Sequence, residues 1–283
     1  MTLPRVRAIL EAVRPIAHGD TLTGIDNATN TRLFMRTGML LDGKPARVPD
    51  LSENALRAVM VRRPLHDHLL TTLGLGAASI PQSVLNLLFS GGNMASGAKA
   101  PSDEVGLGHA VRRVYPSLAL LGGAVDGFVL PRSRLRLSAW PVAAEYAWAL
   151  AHVAPDLVEA ARTVSIFDLL AEETRTRGTG AESSGNQMLY TYETLAAGTR
   201  VVVEFTLDAH TPPEVTGALA VALEQWDGFL GGQGRQGRGR MVFAERPALD
   251  PGPYLDHLAG HADALREGLV TGRLGTERVL CAP

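Results

Sequence analysis

The sequence predicts an α+β domain built on a ferredoxin-like palm of βαββαβ order, with a helical insertion and a long hairpin added to it. Three observations carry that prediction. RVRAILEAVRPIAHG near the start alternates loosely as a strand does, and TRVVVEFTLDA and RMVFAE towards the end also read as strands. Helix-period segments, DLSENALRAVMVRR and PPEVTGALAVALEQWDGF, are interleaved with the strands. The order strand, helix, strand, strand, helix, strand then puts the helices on one face of a single sheet.

Each element has a local reason. Val6, Ala8, Leu10 and Ala12 share one side of a strand over about 4–16. The Thr-, Asn-, Asp- and Gly-rich HGDTLTGIDNATNTR after it is a long loop. RLFMRTGMLLDGKPARVP reads as a hairpin turning at Asp42-Gly43. Arg32 and Arg36 alternate on the strand after the loop, so both face one way. Asp50 is spaced to cap the next helix, with Glu53 at capping-box distance. Leu56, Val59, Met60 and Arg63 trace that helix's inward side. From Pro64 to about Ala110, helical pieces are broken by glycine, and GGNMASGAKAPSDEVGLG reads as a surface segment. SLALLGGAVDGFVLPRSRLRLSAWPV reads as two strands around 122–127, the second alternating through Leu135 and Leu137. AAEYAWALAHVAPDLVEAA is helical, and EETRTRGTGAESSGNQMLYTYE is a long exposed loop or hairpin. PPEVTGALAVALEQWDGF is a helix with proline at its start, and a last helix lies near GPYLDHLAGHADALREGL.

The bulk properties bound the function. The 283 residues suffice for one large domain or two small ones. At 46% hydrophobic they bury a sizeable core, yet mean hydropathy is near zero and no apolar run reaches membrane-spanning length. MTLPRVRAILEAVRPI lacks the continuous apolar stretch and small-residue cleavage site of a signal peptide, which points to the cytoplasm and away from membranes. Cys281 is the single cysteine, so an internal disulfide and a multi-cysteine zinc site are both excluded. Net charge is −2, so the chain as a whole does not advertise a polyanionic partner. Lys44 and Lys99 are the only lysines. The other basic residues are arginines, whose planar fork suits phosphate and stacks on bases. Where they lie matters more than their sum.

LGGQGRQGRGRMVF concentrates that question. Five glycines fall in the nine residues from Gly231 to Gly239, threaded with Arg235, Arg238 and Arg240. A phosphate-binding P-loop requires Lys and Ser/Thr after its last glycine, and neither follows here. Gly232, Gly234 and Gly237 spell G-x-G-x-x-G, but the loop follows a helix and leads into a strand, the reverse of a dinucleotide turn. Two readings stay open. One is a bare loop whose N–H groups and arginines meet a polyanion. The other is a Gly/Arg turn with no ligand.

Following a helix that ends in Trp226-Asp227-Gly228-Phe229, this loop resembles the C-terminal glycine-rich loop of the RAMP superfamily, the RNA-binding proteins of CRISPR–Cas effector complexes. Other segments agree in order. VPDLSENALRAVMVRR is similar to the superfamily's first-helix motif: Leu56 and Arg57 match, while Ala55 and Ala58 stand where Ser and Gly are usual. LALLGGAVDGFVLPRSRLRLSAW is similar to its paired strands, with Leu121-Gly122 in place of Phe-Gly. IAHGDTLTGIDNATNTRLFMR sits where backbone subunits carry a loop along the guide RNA. ETRTRGTGAESSGNQMLYTYETLAAGTRVVVEF resembles their thumb hairpin and the strand after it. The resemblance is to the guide-RNA-binding backbone, or "Cas seven"-like, subunit. The small size and the His-Gly-Asp loop look most like type IV systems, with type III the runner-up.

The resemblance implies a modified ferredoxin-like palm, akin to an RNA-recognition motif, over 1–62 and 110–283. It implies helical fingers over 63–109 and a thumb hairpin over 170–192. The guide RNA would cross the palm, neighbouring thumbs would wedge its bases apart, and base pairing would read the target nucleic acid. Copies would sit head to tail on one RNA, beside other effector-complex subunits. The implied RNA-binding residues of the first loop and its following strand are His18, Asn27, Asn30, Arg32 and Arg36. The first helix adds Ser52, Asn54, Arg57 and Arg62, with Asn54 and Arg57 near its start meeting a phosphate. Arg62 and Arg63 close the helix, where the dipole favours cations in any case. The thumb supplies Gln187 and Met188, beside Asn186 and Tyr190; Met188 is either a wedge between bases or a core residue of the next strand. The glycine loop supplies Gly232, Gly234, Arg235, Gln236, Gly237 and Arg238.

No cofactor and no metal are implied. In type III relatives an aspartate of the first loop cuts target RNA. Here that loop holds Asp20 and Asp26, but spacing puts Asn30 nearest the matching position. An amide neither binds a metal as a carboxylate does nor acts as a general base. The expectation is a non-catalytic subunit; target-RNA cleavage through Asp20 or Asp26 and a protein-only scaffold are the alternatives. His66 and His68 lie two apart on a helix, face different sides and do not make a metal pair.

Overall fold

The computed structural model describes residues 4–19, 25–26, 31–93, 105–125, 128–130, 132–177, 188–232, 234 and 237–274. In chain order the elements are β1 (Arg5–Ala12), β2 (Ile25–Asp26), β3 (Thr31–Arg32), β4 (Arg36–Leu41) and β5 (Lys44–Pro49). A continuous helix follows, made of α1 (Glu53–Arg57), a π turn (Ala58–Arg62) and α2 (Arg63–Thr72). Then come α3 (Gln82–Ser90), β6 (Gly92–Asn93), α4 (Val105–Val114), α5 (Pro116–Leu121), β7 (Ala124–Val125), β8 (Phe128–Val129) and β9 (Leu135–Pro141). The rest are α6 (Ala147–Val153), α7 (Val158–Arg162), β10 (Leu170–Arg177), β11 (Met188–Leu195), β12 (Arg200–Leu207), α8 (Pro213–Gln225), β13 (Met241–Glu245) and α9 (Gly252–Thr271).

The palm is the antiparallel sheet β13-β1-β12-β9. Counted along the chain these four strands run in the spatial order fourth, first, third, second, which is the ferredoxin-like arrangement of a βαββαβ unit. β1 lies centrally, with Arg5 opposite Thr206 and Glu11 opposite Arg200. Its alternate residues Ala8, Leu10 and Ala12 are buried, as are Val201, Val203, Phe205 and Leu207 of β12. The first long helix and α8 pack against each other, and α9 packs on α8. Covered by α2, α5 and α9, α8 buries most of its length, from Val215 to Leu223. Each large apolar side chain withdrawn from water this way contributes about 1.5–3 kcal/mol. A second sheet, β10-β11-β3-β2, carries the long hairpin, with Leu170 opposite Leu195 and Arg177 opposite Met188. Among the described residues β4 and β5 pair only with each other, turning at Asp42 and Gly43, both at positive φ. Among the described residues no helix is long and apolar enough to cross a membrane.

Several local expectations are corrected. The first strand ends at Ala12, and residues 15–19 leave it as a connecting segment. The first helix is capped by Ser52, whose Oγ accepts the Ala55 N–H at 3.3 Å; the Asp50 carboxylate instead accepts the Leu51 N–H at 2.8 Å. Arg63 faces water, with 78% of its side chain exposed, because the π turn shifts the helix phase after Arg57. Arg32 and Arg36 lie on separate strands, β3 and β4, since the chain leaves the second sheet between them. SLALL is a helix; buried along its whole length, α5 carries no amphipathic period to announce itself. The strands near Gly122 are the two-residue β7 and β8, which join β6 outside the palm.

Candidate nucleic-acid interface

The segment 15–19 is where four parts of the chain meet. Ile16 and Leu195, at the root of the β10–β11 hairpin, exchange both N–H···O bonds at 2.9 Å. Ala17 O accepts from Gly232 N at 2.8 Å, and Pro15 O from Gly239 N at 2.9 Å. His18 O accepts from Met35 N at 2.7 Å. The His18 ring turns to the first helix, where its Nε2 accepts the Ser52 N–H at 3.1 Å. Burial lowers the His18 pKa, in keeping with a neutral ring that accepts there.

The glycine-rich loop is a closed hairpin. Leu230 N donates to Gly239 O at 2.9 Å, Met241 N to Gly228 O at 2.7 Å, and Gly237 N to Gly234 O at 2.9 Å near the tip. Gly231 and Gly239 take φ of +81° and +74°. A Cβ on Gly231 would strike Ala17 O, and one on Gly239 would strike Leu230 O. The bare backbone at these two positions therefore serves contact with the chain's own main chain. Gly232, Gly234 and Gly237 remain exposed.

Two arginines at the root of the β10–β11 hairpin are matched by glutamates. Arg238 is buried and pairs with Glu173 of β10. Its guanidinium lies 6.0 Å from the centre of the Tyr192 ring, as does that of the exposed Arg32. Arg36 donates to Glu193 Oε1 at 2.8 Å, and Glu193 Oε2 accepts the Phe34 N–H at 2.7 Å. The loop's exposed Arg240 donates to Asp227 O at 2.6 Å and lies over the Phe229 ring. Between α2 and the loop runs a groove of about 680 Å³, lined in part by Arg63, Asp67, His68, Phe229, Gly231 and Gly234.

Arg57 and Arg62 belong to a different neighbourhood. Arg57 donates to Leu121 O and Ser133 Oγ, both at 2.6 Å, and burial lowers its pKa. Arg62 reaches the Leu87 and Leu88 carbonyls at 3.3 Å, closing the end of α3. Burial, helped by the nearby Arg57, brings its pKa down to about 10. Between the two arginines lies the π turn, closed by the Arg63 N–H donating to Ala58 O. Asn54 is exposed on the first turn. Asp20, Asn27, Asn30, Asn186, Gln187, Arg235 and Gln236 lie outside the described residues. Asp26 stands opposite Thr31 in the β2–β3 ladder, and Met188 opposite Arg177 at the start of β11. His66 is fully buried beside Phe89, and His68 neighbours Tyr254. Among the described residues no three His, Cys, Asp or Glu groups converge as a metal site.

No protein-family model matches the chain, and no curated protein does. A solved structure does. Over 87% of its length the chain matches 94% of a chain in a structure described as "Type IV-B CRISPR Complex", with a TM-score of 0.58 and 24% identity. The two chains share a fold.

The structure thus joins His18, Ser52, Arg32, Arg36, Gly232 and Arg238 through one network of contacts, and leaves Arg57 and Arg62 on another. Glu173, Tyr192 and Glu193 belong to the first network and were not among the residues singled out from sequence. The alternation of EETRTR and LYTYET held a usable signal: acidic and aromatic residues at strand spacing on the hairpin whose root receives the arginines.

Proposed function

We propose that this chain is an RNA-binding backbone subunit of a CRISPR ribonucleoprotein, most like type IV. Copies would line up along a guide RNA and hold it open for pairing with target nucleic acid. The observation that carries the reading is the fold match across nearly the whole of both chains to a member of a type IV-B CRISPR complex. The local geometry supports it. Arg36 and Arg238 already neutralise Glu193 and Glu173, so a phosphate backbone would not meet bare carboxylates there. Exposed Arg32, exposed Arg63 in a loose 3.8 Å surface pair with Asp67, and the exposed glycine backbone of Gly232 and Gly234 then offer cations and close approach to a single strand. The reading includes no catalytic step.

The test is binding of two unrelated single-stranded RNAs by fluorescence anisotropy across a salt series. Wild type binds both, with affinity falling linearly on a log–log plot. Arg32→Ala with Arg63→Ala weakens both RNAs by the same factor and flattens the slope by about 1 to 2. Unchanged affinity in a variant with native circular dichroism would remove these residues from the interface.

A further inference from the structure

β9 is an edge strand of the palm, and a cavity of about 520 Å³ lies beside it. It shares none of the residues assigned to RNA. Its walls include Leu40 from β4, Asp50 and Glu53 at the start of the first helix, Trp140 from β9, and Tyr146 and Trp148 just after it. Two carboxylates and three aromatic rings line it, and none of its lining residues is basic. The charged part of the lining is therefore purely acidic, in contrast to the arginine-bearing groove between α2 and the glycine-rich loop. Trp148 is 63% exposed and Leu40 is 68% exposed, so the apolar rim is open to a partner.

The chemistry of this lining is specific. Asp50 is half-buried, one oxygen of its carboxylate already accepts the Leu51 N–H at 2.8 Å, and burial raises its pKa to about 6. At neutral pH it is still ionised, with Glu53 as a like charge nearby. A desolvated carboxylate without a cation costs stability, and an incoming cation offsets that cost. Aromatic faces attract cations, and a flat guanidinium gains more from them than a compact ammonium. The guanidinium fork also satisfies carboxylate oxygens in pairs. A polyanion is repelled by the same two carboxylates.

We propose that the cavity is a receptor for an arginine side chain presented by a partner polypeptide. The guanidinium lies against the Trp140 and Trp148 side of the pocket and donates to Asp50 and Glu53, while Leu40 covers apolar atoms of the partner's chain. This site stands or falls independently of RNA binding, and its occupant is recognised by charge and planarity together.

The experiment is calorimetric titration of the full chain with three capped tripeptides: Gly-Arg-Gly, Gly-Lys-Gly and the neutral isostere Gly-citrulline-Gly. The arginine peptide should bind at least tenfold more tightly than either of the others. Asp50→Asn and Trp148→Ala should each weaken it at least tenfold. Both variants should fold, since the first removes a desolvated charge and the second an exposed ring. Equal binding of the citrulline peptide would overturn the cation site. Equal binding of the lysine peptide would overturn its assignment to guanidinium. Unchanged binding by folded Asp50→Asn or Trp148→Ala would show that the peptide binds elsewhere and overturn the location.

Discussion

His66 has no exposed surface, and it titrates far from its ordinary value. Burial, reinforced by the adjacent Arg62 guanidinium, lowers its pKa from 6.5 to about 3. The unfolded chain therefore binds a proton at this site over a pH range in which the folded chain does not. The contribution to stability is complete above pH 6.5 and is lost as pH falls from there towards 3, at up to about 1.4 kcal/mol per pH unit. Chemical denaturation of wild type should show this decline, with His18, also lowered by burial, acting in the same direction. His66→Phe, which keeps an apolar ring beside Phe89, should flatten the decline between pH 6 and 4. An unaltered slope would mean that His66 is not held neutral by the core. At this scale Arg57 and Arg62 behave alike: a partly buried guanidinium bonded to backbone carbonyls closes helix ends. A sequence motif does not distinguish such an arginine from one left in water.

The glycine-rich loop is the element whose composition asks for an explanation, and its positions differ in what they require. Gly231→Ala and Gly239→Ala each force a Cβ onto a carbonyl oxygen at positive φ and should each cost about 2 kcal/mol or more. Gly237→Ala shares the positive φ but meets nothing within 4 Å, so its cost should be about 1 kcal/mol. Urea midpoints of the three variants test this ranking; equal costs would refute the backbone-contact account. Elements were legible from sequence where period and turn chemistry agreed. Alternation gave β1, the β-branched run TRVVVEF gave β12, Asp42-Gly43 gave the β4–β5 turn, and proline marked the start of α8. They were not legible where burial is complete, as in α5, or where a π turn resets the helix phase, as before Arg63. The counterions of the site arginines were hidden for another reason. Glu193 and Glu173 lie 157 and 65 residues from Arg36 and Arg238, and only tertiary folding brings them together.

At the scale of the whole molecule, two surface regions differ in their chemistry. Arginines gather at the root of the β10–β11 hairpin and the glycine-rich loop, two of them matched by glutamates that tie the hairpin to β4 and to that loop. Carboxylates and aromatic rings gather at the free edge of β9. On the proposed reading, one region carries RNA and the other carries protein, which is what a subunit repeated along a guide beside other proteins requires. The central claim is that this chain holds RNA as part of a multi-copy assembly. The most direct measurement is to produce it with and without a CRISPR array and purify it at low ionic strength. Its absorbance ratio at 260 and 280 nm, its size, and any nucleic acid on a denaturing gel before and after RNase are then recorded. The account predicts an RNase-sensitive band of discrete length, present with the array, in an assembly several times the mass of one chain. A nucleic-acid-free monomer that takes up no added single-stranded RNA at low salt would contradict it.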